Sequence, residues 1–178
     1  MATSIPALLR QVRSCRICES ALPFGVRPIL QLSGKASVCI ASQAPGMRAH
    51  TSGIPYSDPS GDRLREWMGV EHEIFYDPSK IAIIPVGLCF PGYAGPGTDA
   101  PPLPECAQHW REKLFSAAKG VSLTLLVGLH AQRWHLKAAM KPTLTETVRA
   151  WREYAPHYVP LPHPSWRNNG WLKANPWF

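Results

Sequence analysis

The sequence predicts an α/β fold: a three-layer α/β/α sandwich around a central four-stranded parallel sheet. Three observations predict it. Four short segments rich in branched apolar residues recur along the chain, helical periodicities separate them, and Gly/Pro-rich loops follow the segments on one side. Strands that alternate with helices are joined by right-handed crossovers, which place helices on both faces of a parallel sheet. The chain is 178 residues long and 45% hydrophobic, enough for one domain spanning residues 1–178 with a core that needs no disulfides.

In chain order, Ile5 to Val12 reads as a first helix and Ala36 to Ser42 as the first strand. Gly61 to Gly69 follows as a helix, with Leu64, Trp67 and Met68 on one face, and Ile81 to Val86 is the second strand. Pro104 to Lys119 is helical and opens on proline, as helices often do. Ser122 to Val127 is the third strand, Leu129 to Ala139 and Leu144 to Tyr154 are helices, and His157 to Leu161 is the last strand. Little chain remains after it, so a C-terminal helix covering the sheet is expected to be absent or cut.

Nineteen basic side chains against twelve acidic ones give a formal charge of +7, which suits a polyanionic partner such as DNA, RNA or an anionic membrane. No stretch approaches the roughly 20 consecutive apolar residues of a membrane span, and the N-terminal residues lack the long apolar run of a secretory signal. A cytosolic protein is expected. Five cysteines in a reducing compartment point to ligands, nucleophiles or small core residues more than to disulfides.

Ligands of parallel sheets sit at the carboxyl ends of the strands. There the sequence places Gln43-Ala44-Pro45-Gly46, the long stretch Gly87 to Pro104, and Pro162-His163-Pro164-Ser165-Trp166-Arg167-Asn168. The middle stretch is long for a structureless loop, which argues that something else holds it. Cys15 and Cys18 form C-x2-C after the first helix, and Cys89 and Cys106 bracket the long loop. Four thiolates at these spacings fit an iron-sulfur cluster better than a zinc site, whose halves are usually both close pairs; ordinary buried cysteines are the simplest alternative. Cys39 lies inside an apolar strand and reads as core.

These residues resemble the uracil-DNA glycosylase superfamily, and within it the iron-sulfur group called family 4. That group has an early C-x2-C and a wide second cysteine pair around a Pro-rich loop, which together hold a four-iron, four-sulfur cluster. Cys15, Cys18, Cys89 and Cys106 match those ligands. The group's first motif, G-E-(A/G)-P-G followed at nearly the same distance by P-F, is matched by Ser42 to Gly46 and Pro55-Tyr56. The second, H-P-S, is matched by His163-Pro164-Ser165, and Gly128 also agrees. The run Pro162 to Asn168 is similar to a bacterial subgroup reading H-P-S-P-R-N, with Trp166 in place of the proline.

The resemblance implies an enzyme that flips uracil out of DNA and hydrolyses its N-glycosidic bond, acting as a monomer on uracil-containing DNA and on no membrane. A departing base anion needs donors more than a strong base, and the sugar gains oxocarbenium character. His163 would donate to the base. Backbone groups of Gln43, Ala44, Pro45 and Gly46, with N–H donors at all but the proline, would line it, Tyr56 would stack on it, and Ser165 and Asn168 would approach it. Trp166 would wedge into the vacated stack, Arg167 would hold phosphate, and Arg48 and His50, in the loop after the first motif, would add contacts.

Two positions depart from the family. Gln43 stands where the motif carries glutamate, so it can orient water by its carbonyl but cannot act as a base; Asp58 and Asp62 are the nearest carboxylates in sequence and could substitute as the catalytic base. Either could instead serve the helix start, where Ser60 and Asp62 are candidate caps. Pro85 stands where the family reads uracil with an asparagine. That leaves room for another lesion, such as hypoxanthine or xanthine, or for a DNA-binding chain without catalysis. A small zinc or iron-sulfur protein acting on RNA or in redox is a third reading, which leaves both motifs unexplained.

Overall fold

The computed structural model describes residues 4–178. The strands are β1 (Val38–Ala41), β2 (Ile81–Ile83), β3 (Tyr93–Gly95), β4 (Thr98–Asp99), β5 (Leu123–Val127) and β6 (Tyr158–Leu161). The helices are α1 (Ile5–Arg13), α2 (Met47–Ser52), α3 (Pro59–Met68), α4 (His72–Phe75), α5 (Pro104–Ala117), α6 (Leu129–Leu136), α7 (Leu144–Arg149) and α8 (Asn169–Ala174). The main sheet runs β2-β1-β5-β6 with every pairing parallel, so the expected four-stranded α/β/α architecture is the one observed. All four strands therefore end at one edge, and the motif-bearing loops meet there.

Side chains alternate between the two faces of the sheet, and both faces are buried. Cys39, Ala82 and Ile84 pack with Leu8 and Val12 of α1 and with Trp110 and Leu114 of α5. Ile40, Ile81, Ile83, Leu125 and Val127 face the other way, onto Leu64 of α3 and Phe75 of α4. This two-sided burial is why the strands read as unbroken apolar runs. Cys39 is fully buried, and burial raises its thiol to about 12, as befits a core residue.

Four expectations need correction. The segment after the first motif is a helix, α2, and not a loop. The Gly87 to Pro104 stretch contains the antiparallel hairpin β3-β4 and is anchored by Phe90, which is fully buried and packs against Phe24 and Tyr93. Two predicted helices end early, each continuing into a 3-10 turn: Lys137–Ala139 after α6 and Trp151–Glu153 beyond α7. Finally, α8 does follow the second motif; its Trp171 meets Trp177 and Phe178, and Phe178 packs on Trp67 of α3.

Arg111 of α5 is buried, donates to the Ile84 carbonyl and contacts His135 Nε2, with no carboxylate paired to it among the described residues. Burial and this guanidinium both oppose a second charge, so His135 stays neutral down to about 3. An unfolded histidine takes up its proton near 6.5, so below that pH unfolding binds a proton and stability falls by about 1.4 kcal/mol per pH unit for each such group. His135→Gln is expected to flatten the loss of unfolding free energy between roughly pH 6 and pH 4 by that one-proton slope. Urea unfolding at stepped pH measures it.

Candidate active site

The first motif continues from β1. Val86 N–H donates to the Ser42 carbonyl and Gly87 N–H to the Gln43 carbonyl, extending the β1 to β2 pairing beyond the regular strands. Pro45 is buried, and Gly46 precedes α2, whose His50 N–H donates back to the Gly46 carbonyl at 2.8 Å. Gln43 Nε2 donates to the Ala100 carbonyl at 3.0 Å, which pins the end of the hairpin against the motif. Among the described residues its Oε1 has no partner.

Tyr56 takes a left-handed backbone, φ 56°, and its ring meets Phe75 edge-on at 6.1 Å. Its hydroxyl is buried beside Ser42 without a hydrogen bond of good geometry, and burial raises its pKa. Asp58 caps α3, accepting from Gly61 N–H at 3.1 Å. The cap is thus Asp58, not Ser60 or Asp62, because the helix begins earlier than the expected Gly61, with Pro59 in its first turn. Asp62 pairs instead with Arg65 on the exposed side of the helix.

His163 follows β6 and packs over Gly128, the residue between β5 and α6, whose φ of 81° favours glycine. Ser165 N–H donates to His163 Nδ1 at 3.2 Å, and Asn168 Nδ2 donates to the His163 carbonyl at 2.6 Å. With Nδ1 accepting, the ring proton sits on Nε2. Burial lowers the histidine's pKa, Asp58 opposes that shift, and Arg167 adds to it. The ring is a neutral donor near the carboxylate that caps α3.

The DNA-facing candidates divide. Trp166 is 68% exposed, with the Arg167 guanidinium 5.5 Å from its ring centroid. Arg48 is exposed on α2, whereas His50 is partly buried, with its ring 6.0 Å from Phe90.

Three positions that sequence reasoning passed over help build the site. Arg63 of α3 donates to the Pro164 and Ser165 carbonyls, both at 3.2 Å, and so ties the second motif to the helix that follows the first. Gly61 lies so close to Tyr56 that an added Cβ would fall 1.9 Å from the Tyr56 carbonyl oxygen. Asp99 of β4 brings a carboxylate to Gly46, where an added Cβ would lie 3.4 Å from Asp99 Oδ2. Nothing in the spacing marks Arg63. The Pro96-Gly97 turn signal marks a chain reversal before Asp99 but neither the strand pairing around it nor the place of the carboxylate.

The cysteines gather elsewhere. Cys15, Cys18, Cys89 and Cys106 line one small pocket, otherwise walled mostly by apolar groups such as Ile17, Leu22 and Leu103. Trp110 Nε1 donates to Cys15 Sγ at 3.2 Å and Leu88 N–H to Cys106 Sγ at 3.3 Å. The backbone N–H groups of Cys106 and Arg27 act on Cys18 and Cys89. Burial raises Cys18 and takes Cys89 to about 11 and Cys106 to about 12. Among the described residues no three His, Cys, Asp or Glu side chains close around a single ion. Four thiols around one pocket, each facing an N–H, fit a metal group held by thiolates.

Among the described residues no helix is long and apolar enough to cross a membrane. The family model of the Uracil DNA glycosylase superfamily matches residues 31–178.

Gly61→Ala is expected to lower the unfolding free energy by about 1–3 kcal/mol, the usual cost of forcing an atom into a packed site. Gly170→Ala on α8, where an added Cβ meets nothing within 4 Å, is the matched control and is expected to be neutral or slightly stabilising. Thermal unfolding of both variants checks the pair.

Proposed function

The chain belongs to the uracil DNA glycosylase superfamily, and from that premise we propose that it hydrolyses the N-glycosidic bond of uracil in DNA, leaving an abasic site. The tautomer and charge of His163 carry the reading. A neutral imidazole with its proton on Nε2 is built to donate to an oxygen that becomes anionic as the base departs, and a donor held in place beforehand costs no reorganisation at that moment.

The base would rest against Tyr56, with backbone groups of Gln43, Ala44, Pro45 and Gly46 along its edge and Ser165 and Asn168 on the second-motif side. Arg63 and Asn168 hold the backbone of that loop, which fixes where the imidazole points. Trp166, exposed and next to Arg167, would enter the stack left by the flipped nucleotide, and Arg167 and Arg48 would take phosphates. The formal charge of +7 supports a polyanionic partner. Pro85 favours a second reading of the substrate. It is buried and lacks a side-chain amide, so hypoxanthine or xanthine stands behind uracil as the lesion.

Cys15, Cys18, Cys89 and Cys106 would hold a four-iron, four-sulfur cluster, as in the family-4 group that the sequence resembles. Such a cluster would supply a rigid cross-link between the chain after α1, the loop after β2 and α5.

Single-turnover release of uracil from single- and double-stranded oligonucleotides tests the function. His163→Ala is expected to slow release by about 10²–10³-fold while leaving oligonucleotide affinity within a few-fold of wild type. Release from hypoxanthine or xanthine substrates alone would move the assignment to that lesion. Binding without release of any base would identify a DNA-binding chain. For the cluster, anaerobically prepared protein is expected to contain iron and acid-labile sulfide in equal amounts, both lost in Cys106→Ser; zinc without sulfide would replace that assignment.

A further inference from the structure

Three carboxylates stand at or near the strand ends, and only one is uncommitted. Asp62 pairs with Arg65. Asp58 spends one oxygen on the Gly61 N–H as a helix cap. Asp99 is partly buried and, among the described residues, accepts no hydrogen bond and forms no ion pair. A half-buried carboxylate without a donor is costly, and such groups concentrate where chemistry uses them.

Its placement is specific. Asp99 Oδ2 lies over Gly46 at the end of the first motif. The next residue, Ala100, accepts from Gln43 Nε2 at 3.0 Å and donates its N–H to the Gly92 carbonyl at 2.8 Å. A glutamate at position 43 would have no hydrogen to give that carbonyl. The amide at 43 and the carboxylate at 99 thus work as a pair, one holding the strand on which the other is delivered.

Resting on the glycosylase reading above, we propose that Asp99 is the proton acceptor for the water that attacks the sugar. The C1′–N bond breaks with its electron pair leaving on the base, water oxygen bonds to C1′, and one water proton passes to the Asp99 carboxylate and on to solvent. The base anion is later protonated from water, so the sum is hydrolysis.

The groups that face Asp99 are Arg167 of the second-motif loop, which holds its pKa down, and Asp58 at the start of α3, which together with burial raises it above the usual carboxylate range. His163, electrostatically linked to the same Asp58 and Arg167, completes the set.

The test is single-turnover uracil release by the full chain across acidic to neutral pH. Wild type is expected to gain rate with pH as a carboxylate ionises. Asp99→Asn is expected to lose about 10²-fold in rate and that rising limb, with oligonucleotide affinity retained and melting temperature unchanged or raised, and Asp99→Glu to restore the limb in part. Asp58→Asn is expected to keep the limb. If Asp99→Asn retains the wild-type rate and pH profile, or the limb disappears with Asp58→Asn instead, the inference is overturned and the glycosylase reading stands. If wild type releases no base at all, both fall together.

Discussion

The site depends on one close approach, the first turn of α3 beneath Tyr56. Gly61 leaves no room for a side chain against the Tyr56 carbonyl, and Asp58 locks the turn through its cap. From this fixed start the helix sends Leu64 into the core, where full burial is worth about 1.5–3 kcal/mol, and Arg63 across to the second motif. The two Arg63 hydrogen bonds carry charge on the donor, the kind that contributes about 1.5–3 kcal/mol when the partners are preorganised. One helix of ten residues therefore sets the distance between segments that lie about a hundred positions apart in sequence.

Charge at the strand ends is arranged so that each group is held in a definite state by its neighbours. His163 is kept neutral by burial and by Arg167, while Asp58 prevents the depression from going further. Asp99 is pushed the other way, toward holding its proton, by burial and Asp58, and Arg167 restrains it. Arg167 and Asp58 thus act on both titratable groups with opposite signs. Neutralising either one would move the two groups in the same direction along the pKa scale, Arg167 loss upward and Asp58 loss downward.

Much of this was legible in the chain. The two-sided burial of β1, β2 and β5 follows from apolar runs such as Ile81 to Val86, and the parallel order follows from the helices between them. His163, Gln43 to Gly46 and the pair Cys15 and Cys18 could be singled out because each stands in a short local pattern, and Cys89 and Cys106 because they bracket the long Gly/Pro-rich stretch. Arg63 and Asp99 could not, because their partners, Ser165 and Gly46, are far away in sequence and nothing local signals them. The helix cap, by contrast, was legible: Ser60 and Asp62 are cap residues by type, but Asp58 directly before Pro59 carries the stronger local start signal. The hairpin β3-β4 was hidden by composition, since Gly and Pro spell turns more loudly than two-residue strands spell pairing.

Arg27 belongs to two places at once. Its backbone N–H faces the sulfur of Cys89, while its side chain donates to the carbonyls of His50 and Thr51 at 2.7 and 2.8 Å, closing the end of α2. A single residue is thus a mechanical joint between the cysteine pocket and the helix that leads away from the first motif. Thermodynamic linkage attaches a strict symmetry to such a joint. By whatever factor filling the cysteine pocket would change the hold of this helix on a polyanion, the polyanion would change the retention of anything held there by that same factor, so nucleic acid would protect, or strip, a group bound by the proposed cysteine ligands.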